Sequence, residues 1–114
     1  MKITIIAILM SASFFSISAN ADCIKNQNGK VVCGNGQCES NQYGKVFCAD
    51  AGGGAIRDMH SNVLCGVGYC EKDDLQQVWC SKELAGGAAL DSYGKVKCHG
   101  GCAAGSASLC QQEK

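Results

Sequence analysis

The stretch NQYGKVFC, from Asn41 to Cys48, occurs twice more in this chain with few changes. The other copies are NQNGKVVC, from Asn26 to Cys33, and DSYGKVKC, from Asp91 to Cys98. Each copy closes an eleven-residue unit that begins with Cys or Ala, has Asn or Asp fourth, Val ninth and Cys eleventh. The unit occurs five times, at Cys23–Cys33, Cys38–Cys48, Ala55–Cys65, Cys70–Cys80 and Ala88–Cys98.

Two kinds of joint alternate between the units: a short one, such as GNGQ after Cys33, and a longer one, such as ADAGGG after Val46-Phe47-Cys48. Pairs of units therefore recur at a period of 32 to 33 residues, in three copies if the tail Cys102–Cys110 is a sixth, shortened unit. Units this short bury little alone and must pack on their neighbours. The sequence predicts an all-β, disulfide-rich protein of tandem short β-hairpin repeats, with five or six hairpins.

The fixed positions of the unit are those of a hairpin turn. Asn or Asp at the fourth position suits the start of a type I turn, because its short side chain bonds the backbone ahead. Three residues later stand Gly29, Gly44 and Gly94, where a three-residue hairpin loop needs a left-handed backbone. Ser61 and Gln76 take this place in the other two units. Only the glycines are expected to be left-handed, and those two hairpins are expected to turn differently.

The two faces of each hairpin differ in character. The first and eleventh positions should face each other, and the ninth-position valine shares their inward face because side chains alternate along a strand. The tenth position points the other way, and its residues are Val32, Phe47, Leu64, Trp79 and Lys97. This second face either packs on a neighbouring hairpin or forms an exposed ridge, and packing is favoured in a chain with few large apolar side chains.

All ten cysteines follow residue 21, and their density is typical of a short secreted disulfide scaffold. Pairing across hairpins, together with one bond between the two units that begin with Ala, predicts five disulfides: Cys23–Cys33, Cys38–Cys48, Cys70–Cys80, Cys102–Cys110 and Cys65–Cys98. A rival scheme bridges the short joints and is the same in every repeat: Cys33–Cys38, Cys65–Cys70 and Cys98–Cys102. Spacing alone does not decide between the two schemes.

Residues 1–21 have the layout of a secretory signal peptide. A basic start and an apolar run from Ile3 to Met10 precede Ala19-Asn20-Ala21, an A-x-A cleavage site. The apolar run is too short and too rich in serine for a transmembrane helix. We therefore expect cleavage after Ala21, export to the periplasm or the extracellular space, and no membrane insertion of the remaining chain. Residues 22–114 are expected to form a single cysteine-rich domain.

Charge and motifs argue against several functions. Ten Lys and Arg balance ten Asp and Glu with no basic stripe, so nucleic acid is not an expected partner. The chain lacks the C-x-x-C of thiol oxidoreductases, and neither His60 nor His99 has a catalytic constellation, so no enzyme activity and no cofactor are expected. The alternative is copper or zinc sequestration by reduced cysteines, with Cys98, His99 and Cys102 closest to ligand spacing. Disulfides are favoured over metal in an oxidising compartment.

Aromatic side chains are the remaining candidates for a binding site. Tyr43 and Tyr93 are predicted at hairpin tips, Tyr69 precedes Cys70, and Phe47 and Trp79 share a strand face. Aromatic residues on a rigid scaffold are enriched where proteins contact their partners. The sequence therefore favours a non-enzymatic structural or binding module with a protein or glycan partner. A secreted toxin or inhibitor is also compatible with the scaffold, although no residue specifically supports it.

Overall fold

The structure, a computed structural model, describes residues 21–114, so residues 1–20 of the predicted signal peptide lie outside the described residues. Residues 21–114 form twelve short strands and a 3₁₀ turn but no α-helix. Ten strands form five antiparallel hairpins, here numbered one to five in chain order: β1 (Cys23–Lys25) with β2 (Val31–Cys33), β3 (Cys38–Ser40) with β4 (Val46–Ala49), β5 (Ala55–Arg57) with β6 (Val63–Cys65), β7 (Cys70–Lys72) with β8 (Val78–Ser81), and β9 (Ala88–Leu90) with β10 (Val96–Cys98). The predicted all-β repeat of short hairpins is confirmed.

The same turn closes all five hairpins. In hairpin two, Oδ1 of Asn41 accepts hydrogen bonds from the backbone N–H groups of Tyr43 and Lys45, at 2.9 and 3.0 Å. The equivalent Asn or Asp makes the same pair of bonds in the other four hairpins. The register that follows places the first and eleventh positions directly opposite each other, as the sequence predicts.

The expectation of a different turn at Ser61 and Gln76 is wrong. Both residues are left-handed, with φ of 65° and 69°, close to the 79° of Gly44. The side-chain bonds of the fourth residue and the strand register fix the backbone there, whichever residue follows. A non-glycine residue in this conformation costs about 1–2 kcal/mol, which the rest of each hairpin must offset.

Backbone hydrogen bonds connect successive hairpins through the joints. In hairpins one to four, the residue that precedes the hairpin accepts a hydrogen bond from the residue that follows it and donates one into the next joint. Gln37, for example, accepts from the N–H of Ala49 at 2.9 Å and donates to the carbonyl of Gly53 at 3.1 Å. Tyr69 repeats this arrangement with Ser81 and Gly86, at 2.9 and 2.8 Å. These bonds hold the hairpins in a continuous row.

The tail does not form a sixth hairpin. Strand β11 (Cys102–Ala104) pairs antiparallel with β8, and β12 (Cys110–Glu113) pairs antiparallel with β4. Between them, before the 3₁₀ turn Ala107–Leu109, Ser106 forms a bridge with Cys65 of β6 through N···O distances of 2.9 and 3.0 Å. The tail therefore runs back along the row and lies against the second strands of hairpins four, three and two in turn.

Three predicted disulfides are confirmed, and two are wrong. Cys23–Cys33, Cys38–Cys48 and Cys70–Cys80 join the two strands of hairpins one, two and four. The predicted Cys65–Cys98 and Cys102–Cys110 pairs are replaced by two others, Cys65–Cys110 and Cys98–Cys102. The returning tail brings Cys110 beside Cys65, and two left-handed glycines, Gly100 and Gly101, fold Cys102 back beside Cys98. Of the rival scheme, only Cys98–Cys102 is present.

The buried core follows the ninth-position valines in the middle hairpins. Val46, Val63 and Val78 are buried with their neighbouring cysteines, as predicted. In hairpin one the prediction is wrong, because Val31 is exposed and Val32 is buried instead, packed with Ile24. Among the described residues, hairpin one has neither the tail segment that lies on hairpins two, three and four nor a preceding hairpin such as the one whose Val32 packs on Val46.

Candidate binding face

The tenth-position side chains of hairpins two, three and four form a row that we call the apolar face: Phe47, Leu64 and Trp79. Each is half-buried. Phe47 also packs against a core cluster that contains Val63 and Cys65. The face thus combines the two alternatives raised by the sequence, since it packs between hairpins and still lines open clefts.

The cleft between hairpins three and four holds about 360 Å³. Hairpin three contributes Asp58 and Leu64, and hairpin four contributes Gln77 and Trp79. Gly105 of the tail completes the lining, where a Cβ atom would stand only 2.7 Å from Cγ1 of Val78. The close approach of the tail backbone to hairpin four therefore depends on glycine at this position.

Two similar clefts flank it. Between hairpins two and three, about 250 Å³ is lined by Asn41, Phe47, Asp58 and Leu64. Between hairpins four and five, about 390 Å³ is lined by Asp73, Trp79, Lys95 and Val96, among others. Because Leu64 and Trp79 each line two clefts, neighbouring clefts share an apolar wall and also carry carboxylate or amide groups.

Trp79 is held in place by the turn of its own hairpin. Its indole Nε1 donates a hydrogen bond to Oδ2 of Asp73 at 3.0 Å. Oδ1 of the same carboxylate accepts from the backbone N–H groups of Leu75 and Gln77, each at 2.9 Å. The bond from Trp79, followed by these backbone bonds, lowers the pKa of Asp73 from its ordinary value. The ring is therefore ordered before any partner binds, which reduces the entropic cost of binding.

In hairpin five the tenth position, which is Trp79 in hairpin four, is the charged residue Lys97. Nζ of Lys97 lies 4.0 Å from Oδ2 of Asp91, and the lysine side chain is exposed. The backbone N–H of Lys95 is the main cause of a lowered pKa for Asp91, with a smaller contribution from Lys97. The fourth and tenth positions therefore interact in both hairpins four and five, but only hairpin four presents an aromatic ring.

The structure separates the five aromatic residues proposed from the sequence. Phe47 and Trp79 lie on the apolar face, whereas Tyr43 and Tyr93 are exposed at hairpin tips. Tyr69 lies half-buried in the joint before β7. Leu64, Asp58, Asp73 and Gln77 were not among the binding residues expected from the sequence. The repeat was the available signal for three of them, since Asp58 and Asp73 hold the fourth position of the unit and Leu64 the tenth, whereas Gln77 holds the eighth.

The alternative metal ligands occupy a different part of the molecule. Cys98 and Cys102 are bonded to each other, and Nε2 of His99 lies 3.3 Å from Oε1 of Glu83 at the exposed surface. Residues 21–114 contain no group of three or more His, Cys, Asp or Glu side chains placed to hold a metal ion. In the same described part of the chain, no helix is long and apolar enough to cross a membrane.

Comparison of the chain with known protein families, with curated proteins and with solved structures finds no match. Function must therefore be argued from the apolar face and its clefts.

Proposed function

We propose that this protein is a non-enzymatic binding module of an oxidising compartment outside the cytoplasm, and that it binds a linear glycan along the apolar face. Its five disulfides support such a location, because disulfides persist in secreted and periplasmic proteins. The predicted signal peptide, cleaved after Ala21, would direct the chain there. Metal sequestration is disfavoured, since all ten cysteines are engaged in disulfides.

The observation that carries the glycan proposal is the fixed indole of Trp79 between two clefts. The apolar faces of sugar rings pack on aromatic rings, and sugar hydroxyls donate to carboxylate and amide oxygens. Oδ2 of Asp58 and the amide oxygen of Gln77 supply such acceptors beside Trp79, and Oδ2 of Asp58 supplies one beside Phe47. Oδ1 of Asn41 and of Asp58 already accepts turn hydrogen bonds. A row of connected clefts fits a polymer with a repeating unit better than it fits a single compact ligand.

Trp79 is the chain's one tryptophan, so its fluorescence reports on the proposed site directly. The experiment titrates the oxidised protein with linear oligomers of β-1,4-linked glucose and of β-1,4-linked N-acetylglucosamine. We expect a saturable shift of the emission to shorter wavelength, because the bound sugar displaces water from the exposed part of the ring. Longer oligomers should bind more tightly than short ones, since they reach a second cleft.

The matched variants are Trp79→Ala and Tyr93→Ala, with binding followed by calorimetry because the first variant removes the fluorophore. We expect Trp79→Ala to weaken binding at least tenfold and Tyr93→Ala to leave it unchanged. Loss of binding in Tyr93→Ala alone would move the site to the hairpin tips. No response to either series of oligomers would count against a glycan and leave a protein as the partner to be tested on this face.

A further inference from the structure

In each hairpin the second strand has an outward edge, the one that faces away from the first strand. The residues that pair with this edge differ from hairpin to hairpin. In hairpin two the tail strand β12 lies on this edge of β4, and in hairpin three Ser106 lies on β6. In hairpin four β11 lies on β8, and the N–H of Gly105 donates to the carbonyl of Val78 at 3.0 Å. Among residues 21–114, no strand pairs with this edge of β2 in hairpin one or of β10 in hairpin five, although the carbonyl of Cys98 in β10 accepts from the N–H of Gly101.

Exposure of the ninth-position valine also differs along the row. Val46, Val63 and Val78, which lie beneath the tail, expose 0%, 6% and 5% of their surface, whereas Val31 exposes 55%. The closing cysteines behave in the same way, because Cys33 is exposed while its equivalents Cys48, Cys65 and Cys80 are buried. Val46 is covered both by the tail and by Val32 of the preceding hairpin, and among residues 21–114 hairpin one has neither kind of cover.

The backbone of β2 is oriented to receive a strand. The N–H of Asn26 donates to the carbonyl of Lys30, and the N–H of Gly34 donates to the carbonyl of Asp22. In an antiparallel pair these bonds alternate along each strand, so Val32 bonds to β1 while the N–H and C=O groups of Val31 and Cys33 point outward. Unpaired groups of this kind are a template for an added strand.

We propose that β2 binds an extended segment of a partner protein, antiparallel to it, through the backbone of Val31 and Cys33. Strand addition at a free sheet edge is a general mode of peptide recognition, in which main-chain bonds give affinity and side-chain fit gives specificity. The tail segment on hairpin four shows what fits such an edge, since it places Ala103 and Ala104 opposite Cys80 and Trp79. The tail strand on hairpin two places Gln111 and Gln112 opposite the equivalent Cys48 and Phe47, so the partner segment has small or uncharged polar residues opposite Cys33 and Val32.

Charge favours a foreign segment over a second copy of this chain. Between Cys23 and Cys33 the charged residues are Lys25 and Lys30, with no acidic residue. Two copies paired through β2 would place lysines of the same sign along one short interface. A partner segment with an acidic residue next to Lys30 gains an attractive contact instead. A cleft of about 350 Å³ is lined by Lys30 and other turn residues of hairpin one on one side and by Glu113 and Lys114 of the tail on the other.

The probe is an acetylated, amidated peptide that copies residues 102–106 with Ser in place of Cys102 and ends in an added Glu, SAAGSE. It is titrated to millimolar concentration into the ¹⁵N-labelled, fully oxidised protein and followed by NMR. We expect saturable shifts and slower hydrogen exchange at the amides of Val31 and Cys33. The amides of Val46 and Cys48 should not change, because β12 already occupies their edge.

Two controls test the mode of binding. A peptide of the same sequence, N-methylated at its first alanine and its glycine, lacks the two backbone donors that would face Cys33 and Val31 and should not bind. Val31→Lys adds a like charge at the edge and should weaken binding of SAAGSE at least tenfold, with its five disulfides intact by mass. The proposal is overturned if Val31 and Cys33 do not respond, or if both peptides shift them equally. Shifts that depend on protein concentration without peptide would also overturn it and assign the edge to a second copy.

Discussion

The disulfide between Cys65 and Cys110 joins residues 45 positions apart and fixes the returning tail to hairpin three. The opposite first position of that hairpin is Ala55, so Cys65 has no cysteine partner across its own strands. The bond to the tail replaces the cross-strand disulfide that hairpins one, two and four contain. Its loss should therefore affect more than one hairpin.

Replacement of both Cys65 and Cys110 by Ala should destabilise the protein more than replacement of both Cys23 and Cys33. The longer loop alone gives a difference of about 1 kcal/mol in the free energy of unfolding, from loop-closure entropy. Cys65 is also fully buried, whereas Cys33 is exposed, so the first pair loses packing as well. Denaturant unfolding of the two double variants measures the difference. Equal losses would show that the tail holds its place without the bond.

Glycine at the two strained turn positions should stabilise the protein. Ser61→Gly and Gln76→Gly each relieve a left-handed non-glycine residue and should raise the free energy of unfolding by about 0.5–1 kcal/mol. Gln42→Gly is the control, because Gln42 is an exposed turn residue outside the left-handed set and should lose stability instead. Thermal unfolding compares the stability of the three variants. A loss of stability in Ser61→Gly would show that the backbone at Ser61 is not strained.

Gly29 and Gly44 provide a matched pair of substitutions to alanine. Both are left-handed, with φ of 78° and 79°, so the backbone cost of alanine is the same at each, about 1 kcal/mol. A Cβ atom at Gly29 meets nothing within 4 Å, whereas one at Gly44 would stand 2.8 Å from Cβ of Gln27 in the neighbouring hairpin.

We therefore expect Gly44→Ala to be clearly less stable than Gly29→Ala in urea unfolding. The difference measures how tightly hairpins one and two are packed at their turns. If the two variants unfold at the same urea concentration, the turn of hairpin one has shifted away from position 44 without a measurable loss of stability.

Acid should release Trp79. Since the folded pKa of Asp73 is lowered, its ionised form stabilises the fold above the unfolded pKa of about 4, and this contribution is lost as pH falls through the lowered folded value. The fluorescence of Trp79 should therefore change below about pH 4 as the carboxylate that accepts its N–H is protonated.

Asp73→Asn should abolish this acid transition in the fluorescence, because asparagine preserves the turn, as Asn26 and Asn41 do, but does not titrate. Asp91→Asn is the control, since the pKa of Asp91 is also lowered but its causes do not include Trp79. Asp91→Asn should keep the acid transition in fluorescence that the unsubstituted protein shows. A transition that survives in Asp73→Asn would assign it to general unfolding in acid.

The hairpins could be predicted from the sequence because their contacts are local. Asn41 and Gly44 define one turn within four residues, and that turn sets the register of Cys38 against Cys48. That Trp79 lies on the opposite face from Val78 and Cys80 could also be predicted, because side chains alternate along a strand. The relation between Trp79 and Asp73 was implicit in the repeat but needed the atomic geometry, since the other four units carry no tryptophan.

The tail could not be predicted in the same way. Its pairing joins Gln111 to Cys48 over more than 60 residues, and no turn chemistry connects the two. Its sequence also resembles a shortened unit, because Cys102 and Cys110 stand where the first and last residues of a sixth hairpin would be. Ser61 was misjudged for a related reason, because side-chain bonds from Asp58 outweigh the backbone preference of serine.

The return of the tail sets an order in which the native disulfides can form as the chain emerges from its N-terminus. In hairpins one, two and four the two bonded cysteines are only ten positions apart, so each of these disulfides can form soon after its hairpin has emerged. Cys65 must wait as a thiol until Cys110, near the C-terminus, has followed it. Of the five native disulfides, Cys65–Cys110 is therefore the last that an emerging chain can close.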